Sequence, residues 1–366
     1  MQFEIDREAL LKPLQAIIGV VERRQTLPVL SNVLIESNDQ GLSLTTTDLE
    51  VELRADIALT GATAGRITVP ARKLMDIVRN LPDEANVAVA QEQERIVVRA
   101  GKSRFTLAGL PADDFPTTDA VDASHRVSLP QAQLRWLIEK SHFAMALQDV
   151  RYYLNGLLLE LAPKHLRAVA TDGHRLALSE LAPDLSIETP TQVIVPRKGI
   201  QEMLRLLEDT DDPVEVVLGT GHVQVSLPDL RFTSKLIDGR FPDYQRVIPE
   251  DDGPYAVIDR ETLRKALVRA SILSNEKYRG VRFGFEAEQL RIQSNNPEQE
   301  EAQEEIPATY SGEPLEVGFN ASYMLDALAS IDEPTVHIYV RDANSSALIL
   351  GEKNQSARYV VMPMRL

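Results

Sequence analysis

Ile5-Asp6-Arg7-Glu8-Ala9-Leu10-Leu11 (IDREALL) returns late in the chain as Ile258-Asp259-Arg260-Glu261-Thr262-Leu263-Arg264 (IDRETLR), with a fainter copy at Leu129-Pro130-Gln131-Ala132-Gln133-Leu134 between them. Self-similarity at a fixed period settles an architecture before any single motif does, because each copy is one structural unit. Further markers keep the register. Leu42-Ser43-Leu44 leading to Thr47-Asp48 recurs 124 residues on as Leu166-Arg167-Ala168 leading to Thr171-Asp172, and after another 124 as Leu290-Arg291-Ile292 leading to Asn295-Asn296. Val69-Pro70-Ala71-Arg72-Lys73 matches Val195-Pro196-Arg197-Lys198 and Phe319-Asn320-Ala321, and Phe115-Pro116 matches Phe241-Pro242. The chain is therefore read as one unit written three times, with domains at 1–123, 124–252 and 253–366 and the turn-rich Asp251-Asp252-Gly253-Pro254 at the second boundary.

Within each copy the pattern is strand, helix, strands, helix, strands. Phe3 and Ile5 alternate as a strand, and Asp6 is placed to cap a helix whose apolar face is Leu10, Leu14 and Ile17. Asn32–Glu36 and Leu42–Thr45 read as strands, Pro70 suits the start of a second helix over Ala71–Arg79, and Ile96–Val98 and Arg104–Leu107 close the unit. The fold class is α+β, with two helices per unit on sheets that share a core. Trp136, at an apolar helix position, reads as core.

Composition narrows the chemistry. The 366 residues are 43% hydrophobic with no cysteine, which excludes disulfides, thiolate metal sites and cysteine nucleophiles. No apolar run reaches a membrane span and the N-terminus is charged, so a cytoplasmic location is expected. The 39 Lys and Arg stand against 55 Asp and Glu, a net charge of −16 that argues against tight non-specific nucleic-acid binding. The three units carry nets of −6, −5 and −5, so none is a basic module. Yet the cations gather on the paired helices: Arg7, Lys12, Arg72, Lys73 and Arg79, then Arg135, Lys140, Arg197, Lys198 and Arg205, then Arg264, Lys265 and Arg269. Acid runs such as Glu208–Asp212 and Glu298–Glu305 fall on turns or strands. That segregation is what a backbone-reading face needs, and it is also what any solvated helix shows.

Longer words are more specific: QDVRYYLNG from Gln148 to Gly156, ATDGHRL from Ala170 to Leu176, DGRFPDY from Asp238 to Tyr244, NNPEQEE from Asn295 to Glu301, and YVVMPMRL from Tyr359 to Leu366. With these words the chain resembles, over all 366 residues, the beta-subunit family of bacterial DNA polymerase III, the replicative sliding clamps. The resemblance implies a DNA-clamp fold of three similar domains and a head-to-tail homodimer closed into a six-domain ring with its helices inside. It implies no enzyme activity, no cofactor and no metal. It also implies double-stranded DNA as a topological, non-sequence-specific partner, a clamp loader, and the polymerase III alpha subunit, other polymerases, ligase and mismatch-repair proteins bound through short clamp-binding peptides.

Carried over residue by residue, the resemblance implies a peptide pocket of Arg151, Leu154, Thr171, Gly173, His174, Arg175, Leu176, Pro242, Arg246, Val247, Asn320, Tyr323, Ser346, Val360, Val361, Met362, Pro363, Met364 and Leu366. Leu, Val and Met side chains there would form an adaptable apolar socket. The DNA-facing set would be Lys12, Arg24, Arg72, Arg79, Gln148, Tyr152, Tyr153, Arg197, Lys198, Arg205, Lys277 and Arg279, with the two tyrosines able to stack on single-stranded bases or simply to edge a strand. The dimer seam would set Lys73, Arg95, Arg104, Phe105 and Leu107 against Ile272, Leu273, Glu298, Glu300, Glu301 and Glu304. The Arg23-Arg24 doublet departs from the pattern and is expected to tighten the grip on DNA; the acidic 298–305 segment, read alone, is a solvated strand or a weak cation site.

Two other classes stay in view. Asp172 and His174 could serve acid-base chemistry, although the intervening Gly173 favours a turn. No nucleophile elbow, Walker A, HExxH or complete GxGxxG is present, and the six histidines are scattered. A protein-binding ring that does not encircle DNA is the second alternative, and it would not need basic helices in all three units.

Overall fold

A computed structural model describes residues 1–22, 27–118, 121–182, 187 and 189–365. Six helices are described: α1 (Arg7–Ile17), α2 (Ala71–Arg79), α3 (Gln131–Glu139), α4 (Arg197–Leu206), α5 (Arg260–Ser271) and α6 (Ala321–Ser330), two to each sequence repeat. α1 buries Leu10, Leu14 and Ile17, the expected face. Its cap differs from expectation. Asp6 stands at the N-cap but its side chain accepts no hydrogen bond from the helix, whereas the equivalent Asp259 accepts from Thr262 N at 2.8 Å. The amide of the first helical residue reaches a distant carbonyl in every repeat, Arg7 N to Ala85 O (2.9 Å), Gln131 N to Asp212 O (2.9 Å) and Arg260 N to Pro334 O (2.7 Å). Trp136 is only half-buried, because Leu134, Leu137 and Ile138 already fill the core side of α3.

The chain divides into two compact units that cut across the middle repeat. The first comprises Met1–Ala132 and Gln201–Leu236. It holds a four-stranded antiparallel sheet in the order Gln2–Asp6, Asn86–Glu92, Arg95–Ala100, Ser103–Ala108. Its second sheet has eight strands, in the order Gly65–Pro70, Asn32–Ser37, Gly41–Thr47, Val51–Ala58, Leu230–Lys235, His222–Leu227, Pro213–Leu218, His125–Pro130. That sheet crosses a repeat boundary where Val51–Ala58 pairs with Leu230–Lys235, Leu53 opposite Phe232. Alternation puts Leu53 and Phe232 fully in the core and leaves Arg54 and Arg231 opposite each other on the outer face.

The second unit comprises Gln133–Ile200 and Ile237–Leu366. Its nine-stranded sheet runs Thr191–Pro196, Gly156–Ala162, His165–Thr171, Arg175–Leu181, Ala357–Val361, Ala347–Gly351, Thr335–Tyr339, Tyr255–Asp259, Thr309–Tyr310. The repeat boundary here lies where Arg175–Leu181 pairs with Ala357–Val361. A four-stranded sheet follows the order Glu301–Pro307, Gln289–Asn295, Gly280–Phe285, Leu315–Asn320. The repetition extends to single hydrogen bonds. Leu110 N to Thr68 O (3.0 Å), Ile237 N to Ile194 O (2.8 Å) and Met364 N to Gly318 O (2.7 Å) are one contact made three times.

Candidate protein-binding and DNA-facing sites

The loop Thr171–Arg175 is built by its own side chains. Thr171 Oγ1 donates to the carbonyl of Arg175 at 2.6 Å and accepts from Gly173 N at 3.1 Å. Asp172 Oδ1 accepts the amides of His174 (2.9 Å) and Arg175 (3.0 Å), an Asx turn that leaves Gly173 at φ +88°. Glycine is required there: a Cβ would stand 3.0 Å from the guanidinium of Arg151. That guanidinium is held by Asp149 (2.9 Å), whose carboxyl the Arg151 hydrogen bonds pull down to about 2. Asp172 thus spends its carboxylate on loop amides and on Arg175 Nε at 3.1 Å, which takes it away from the acid-base pairing with His174 considered above.

Arg175 is the hub. It also pairs with Asp326 on α6, donates to the carbonyl of Phe143 at 3.0 Å, and lies 4.6 Å from the ring centre of Tyr323 and 5.4 Å from that of Phe143. The His174 ring stacks over Tyr323 at 6.5 Å. Asn320 caps α6 by accepting from Ser322 N and Tyr323 N, which fixes the turn carrying Tyr323. Met362, 40% exposed, is tied to this loop by its amide on the carbonyl of His174 at 2.9 Å. Below the loop, Leu176 and Val360 face each other across paired strands and join a buried cluster with Leu158, Val169, Phe241 and Tyr244. Leu154 and Val361 are buried, Thr171, Pro363 and Met364 half-buried, and Pro242 exposed. Arg246, Val247 and Ser346 line an adjoining cavity of about 380 Å³, and the Arg246 side chain pairs with Asp243 at 2.8 Å. Leu366 lies outside the described residues.

Within the second unit, then, Arg151, Thr171, Gly173, His174, Arg175 and Tyr323 come together around Asp172, and Leu176 and Val360 floor the space beside them. Sequence reading missed Asp149, Phe143 and Asp326, the partners of the two arginines. Only Asp149 was findable, two residues before Arg151 in the word QDVRYYLNG; Phe143 and Asp326 meet Arg175 from 32 and 151 residues away.

The DNA-facing set divides differently. Lys12 and Arg79 are exposed on α1 and α2, and Lys277 and Arg279 are exposed beyond α5. Lys277 stands 5.2 Å over the ring of Tyr278. Gln148 is exposed at φ +54°, and Tyr152, 56% exposed, meets Tyr153 edge-on at 5.8 Å, so the first tyrosine is not a buried strand edge. Three arginines use part of their donor capacity on the main chain. Arg72 donates to the carbonyl of Val21, Arg197 to that of Met145 (3.1 Å), and Arg205 to those of Gln15 (3.2 Å) and Ala16 at the end of α1, where helix carbonyls lack partners. Lys198 is half-buried, and Arg24 with its neighbour Arg23 lies outside the described residues.

Of the proposed seam residues, Phe105 and Leu107 sit on Ser103–Ala108 and Glu301 and Glu304 on Glu301–Pro307, each the last strand of its sheet. Lys73, Arg95, Glu298 and Glu300 are exposed, and Arg104 lies 3.7 Å from Glu92. Ile272 is 71% exposed just past α5, with Leu273 half-buried beside it. Glu304 already pairs with Arg269 of its own chain at 2.6 Å, which holds its carboxyl below the usual range. Among the described residues, no group of three or more acidic or histidine side chains is arranged to hold a metal ion, and no helix is long and apolar enough to cross a membrane.

The chain matches the family models for the DNA polymerase III beta subunit: the N-terminal domain over residues 1–119, the central domain over 128–243 and the C-terminal domain over 245–365. It is 55% identical to the beta sliding clamp of Pseudomonas putida and 49% identical to that of Escherichia coli K12, over 100% of both chains in each case. Among solved structures it resembles the DNA polymerase III subunit beta from Pseudomonas aeruginosa (54% identity, TM-score 0.98) and the Caulobacter crescentus pol III beta (40% identity, TM-score 0.94), again over 100% of both chains. The chain belongs to the DNA polymerase III beta-subunit family, the sliding clamps: processivity factors that work with the polymerase on DNA and are not enzymes themselves.

Proposed function

We propose that two copies close head to tail into a ring that encircles duplex DNA, with repeats at 1–123, 124–252 and 253–366 and the peptide pocket around Thr171–Arg175 and Met362 as the landing site for the proteins it tethers. One observation carries this. Two seams join the repeats within the chain, each made by a strand of one repeat (Val51–Ala58, Arg175–Leu181) against the closing strand of the next (Leu230–Lys235, Ala357–Val361). The equivalents left over, Glu301–Pro307 and Ser103–Ala108, are the two halves of a third seam, each at the open edge of its sheet.

An open edge is a template for another strand, and these two are complementary. Ser103–Ala108 is flanked by Lys102 and Arg95 and carries Arg104, while the other edge carries Glu301, Glu304 and Glu305. Phe105, Leu107, Ile272 and Leu273 would supply its apolar centre, and the charges would steer the encounter. A C2 pair of such seams closes the assembly.

Encirclement also reconciles basic helices with a net charge of −16: a topological link needs only weak phosphate contacts, from Lys12, Arg24, Arg79, Lys198, Lys277, Arg279 and the remaining donors of Arg72, Arg197 and Arg205, with Gln148, Tyr152 and Tyr153 reaching single-stranded template. A loader must open the ring. The polymerase alpha subunit, other polymerases, ligase and mismatch-repair proteins would compete for the pocket in the cytoplasm. The test is retention on nicked circular DNA after loading. Release on linearising the circle is expected; retention that ignores free ends would overturn encirclement.

A further inference from the structure

The segment Phe241–Ile248 bears Pro242, Arg246 and Val247 of the pocket, yet apart from one short turn at Tyr244–Arg246 it has no regular structure to hold it. Two buried rings, Phe241 and Tyr244, seat it on the cluster that contains Leu176 and Val360. Apolar packing resists lifting but fixes direction poorly, since it is non-directional. Direction comes from the Tyr244 hydroxyl, which donates to Glu160 Oε1 at 3.0 Å and accepts a longer bond from Arg167 Nη1 at 3.4 Å.

Glu160 is itself immobilised. It is 6% exposed on the strand Gly156–Ala162, with His165 Nε2 at 2.9 Å, Arg167 Nη1 at 3.1 Å and the side-chain amide of Gln192 donating from the other side. Those partners sit on the two strands flanking its own. Burial pushes its carboxyl up, and the hydrogen bonds from Gln192, Tyr244 and His165 with the Arg167 charge more than offset that, leaving it below the usual range.

The first repeat ties its loop at the same point, by a different donor and a glutamate from a different strand. In Phe115-Pro116-Thr117-Thr118 the residue at the place of Tyr244 is Thr118, and its main-chain amide donates to Glu52 at 2.8 Å. Both loops are thus tied to a carboxylate at the same point, although Glu52 is the counterpart of Leu176 and only Glu160 comes from the strand Gly156–Ala162.

We propose that the Glu160–Tyr244 hydrogen bond is the positioning contact for this wall of the pocket, so that a glutamate buried out of a ligand's reach governs how tightly a short apolar peptide is held; the proposal rests on the peptide-binding reading above. The experiment uses the full-length protein and a fluorescein-labelled Gln-Leu-Ser-Leu-Phe peptide, with binding, thermal midpoint and amide hydrogen exchange measured on each variant. Tyr244→Phe is expected to weaken binding about 5- to 20-fold, mainly through faster dissociation, and to raise exchange within 241–248 alone. Glu160→Gln keeps an oxygen for the hydroxyl and is expected to bind within about 3-fold of the parent even though its charge pairing with Arg167 is lost. Glu160→Ala should match Tyr244→Phe, with the double variant no weaker than either single.

Tyr244→Phe binding within 2-fold of the parent, or losses that track the thermal midpoint across all variants, would overturn the proposal. If Glu160→Ala fails to fold, Tyr244→Phe against Glu160→Gln still decides. Met362→Ala separates the two readings: if it weakens binding and Tyr244→Phe does not, the positioning role alone falls. If neither does, the pocket assignment falls first and the positioning role with it.

Discussion

The two seams within the chain share one backbone and differ in what they offer. At the first, Thr47 Oγ1 donates to the carbonyl of Val51 at 3.0 Å and Asp48 Oδ1 accepts the amides of Glu50 (2.9 Å) and Val51 (2.7 Å). These are the bonds of Thr171 and Asp172 over again. Lys235 N on Glu50 O at 2.8 Å repeats Met362 N on His174 O at 2.9 Å. The side chains are where they part. Glu50 and Lys235 lie 3.8 Å apart where the second seam has His174 and Met362, and Glu52 stands where Leu176 floors the pocket. Leu49 takes φ +79° where the second seam uses Gly173 at +88°. A Thr-Asp pair builds the frame; the residues hung on it decide whether the surface beside it carries an exposed ion pair, as at Glu50 and Lys235, or His174 and Met362 over an apolar floor.

The sharpest way to break this comparison is to remove the tail. A chain ending at Val361 keeps every paired residue of the second seam but loses Met362 and Met364, and its affinity for the peptide is expected to fall at least about 100-fold, roughly 2.7 kcal/mol, with the sedimenting mass of the dimer unchanged. Retained affinity would place the pocket elsewhere.

Next come the positive-φ residues. Gly173→Ala should cost about 1–2 kcal/mol, from left-handed backbone and crowding of Arg151, and should weaken the peptide with it. Leu49→Gly should relieve strain and leave stability within about 1 kcal/mol of the parent. Equal losses in thermal unfolding would mean that the two loops are not the same device.

The smallest effect is in pH. Glu160 titrates below its usual value of 4.5 in the fold, so its stabilising contribution is present above that pH and is lost as pH falls through the folded value. Glu52 is shifted upward by burial, despite the Thr118 hydrogen bonds and the charges of Arg54 and Arg231, so protonation favours its folded state and acidification works in the opposite direction. Hydrogen exchange from pH 6 to pH 3, corrected for intrinsic rates, should show 241–248 losing protection before 115–118; the reverse order would contradict the two shifts.

Much of this was legible in advance. The repeat, the helix faces of Leu10, Leu14 and Ile17, and the strands around Leu42 and Ile96 follow from local spacing, because burial of one face imposes its period on the chain. The Thr-Asp words were visible too, but as markers of register and not as the hydrogen-bonded frame of both seams. What went unseen depends on partners distant in sequence. Arg72, Arg197 and Arg205 read as DNA-facing by their place on the helices, and that each also holds a carbonyl, of Val21, Met145 and Ala16, was not legible there. Glu160 reads as an unremarkable strand residue until Tyr244, 84 residues away, lands on it.

By itself the sequence determined the threefold repeat, the α+β class, the absence of cysteine chemistry and the kinship with sliding clamps, since each is written in spacing or in residue type. Only the tertiary structure decided that the compact units cut through the middle repeat, that two seams close within the chain while Ser103–Ala108 and Glu301–Pro307 each end a sheet, and which arginines also bond the backbone. Strand pairing between repeats and the capture of main-chain carbonyls are long-range events, and no local pattern encodes which distant group will satisfy a given donor.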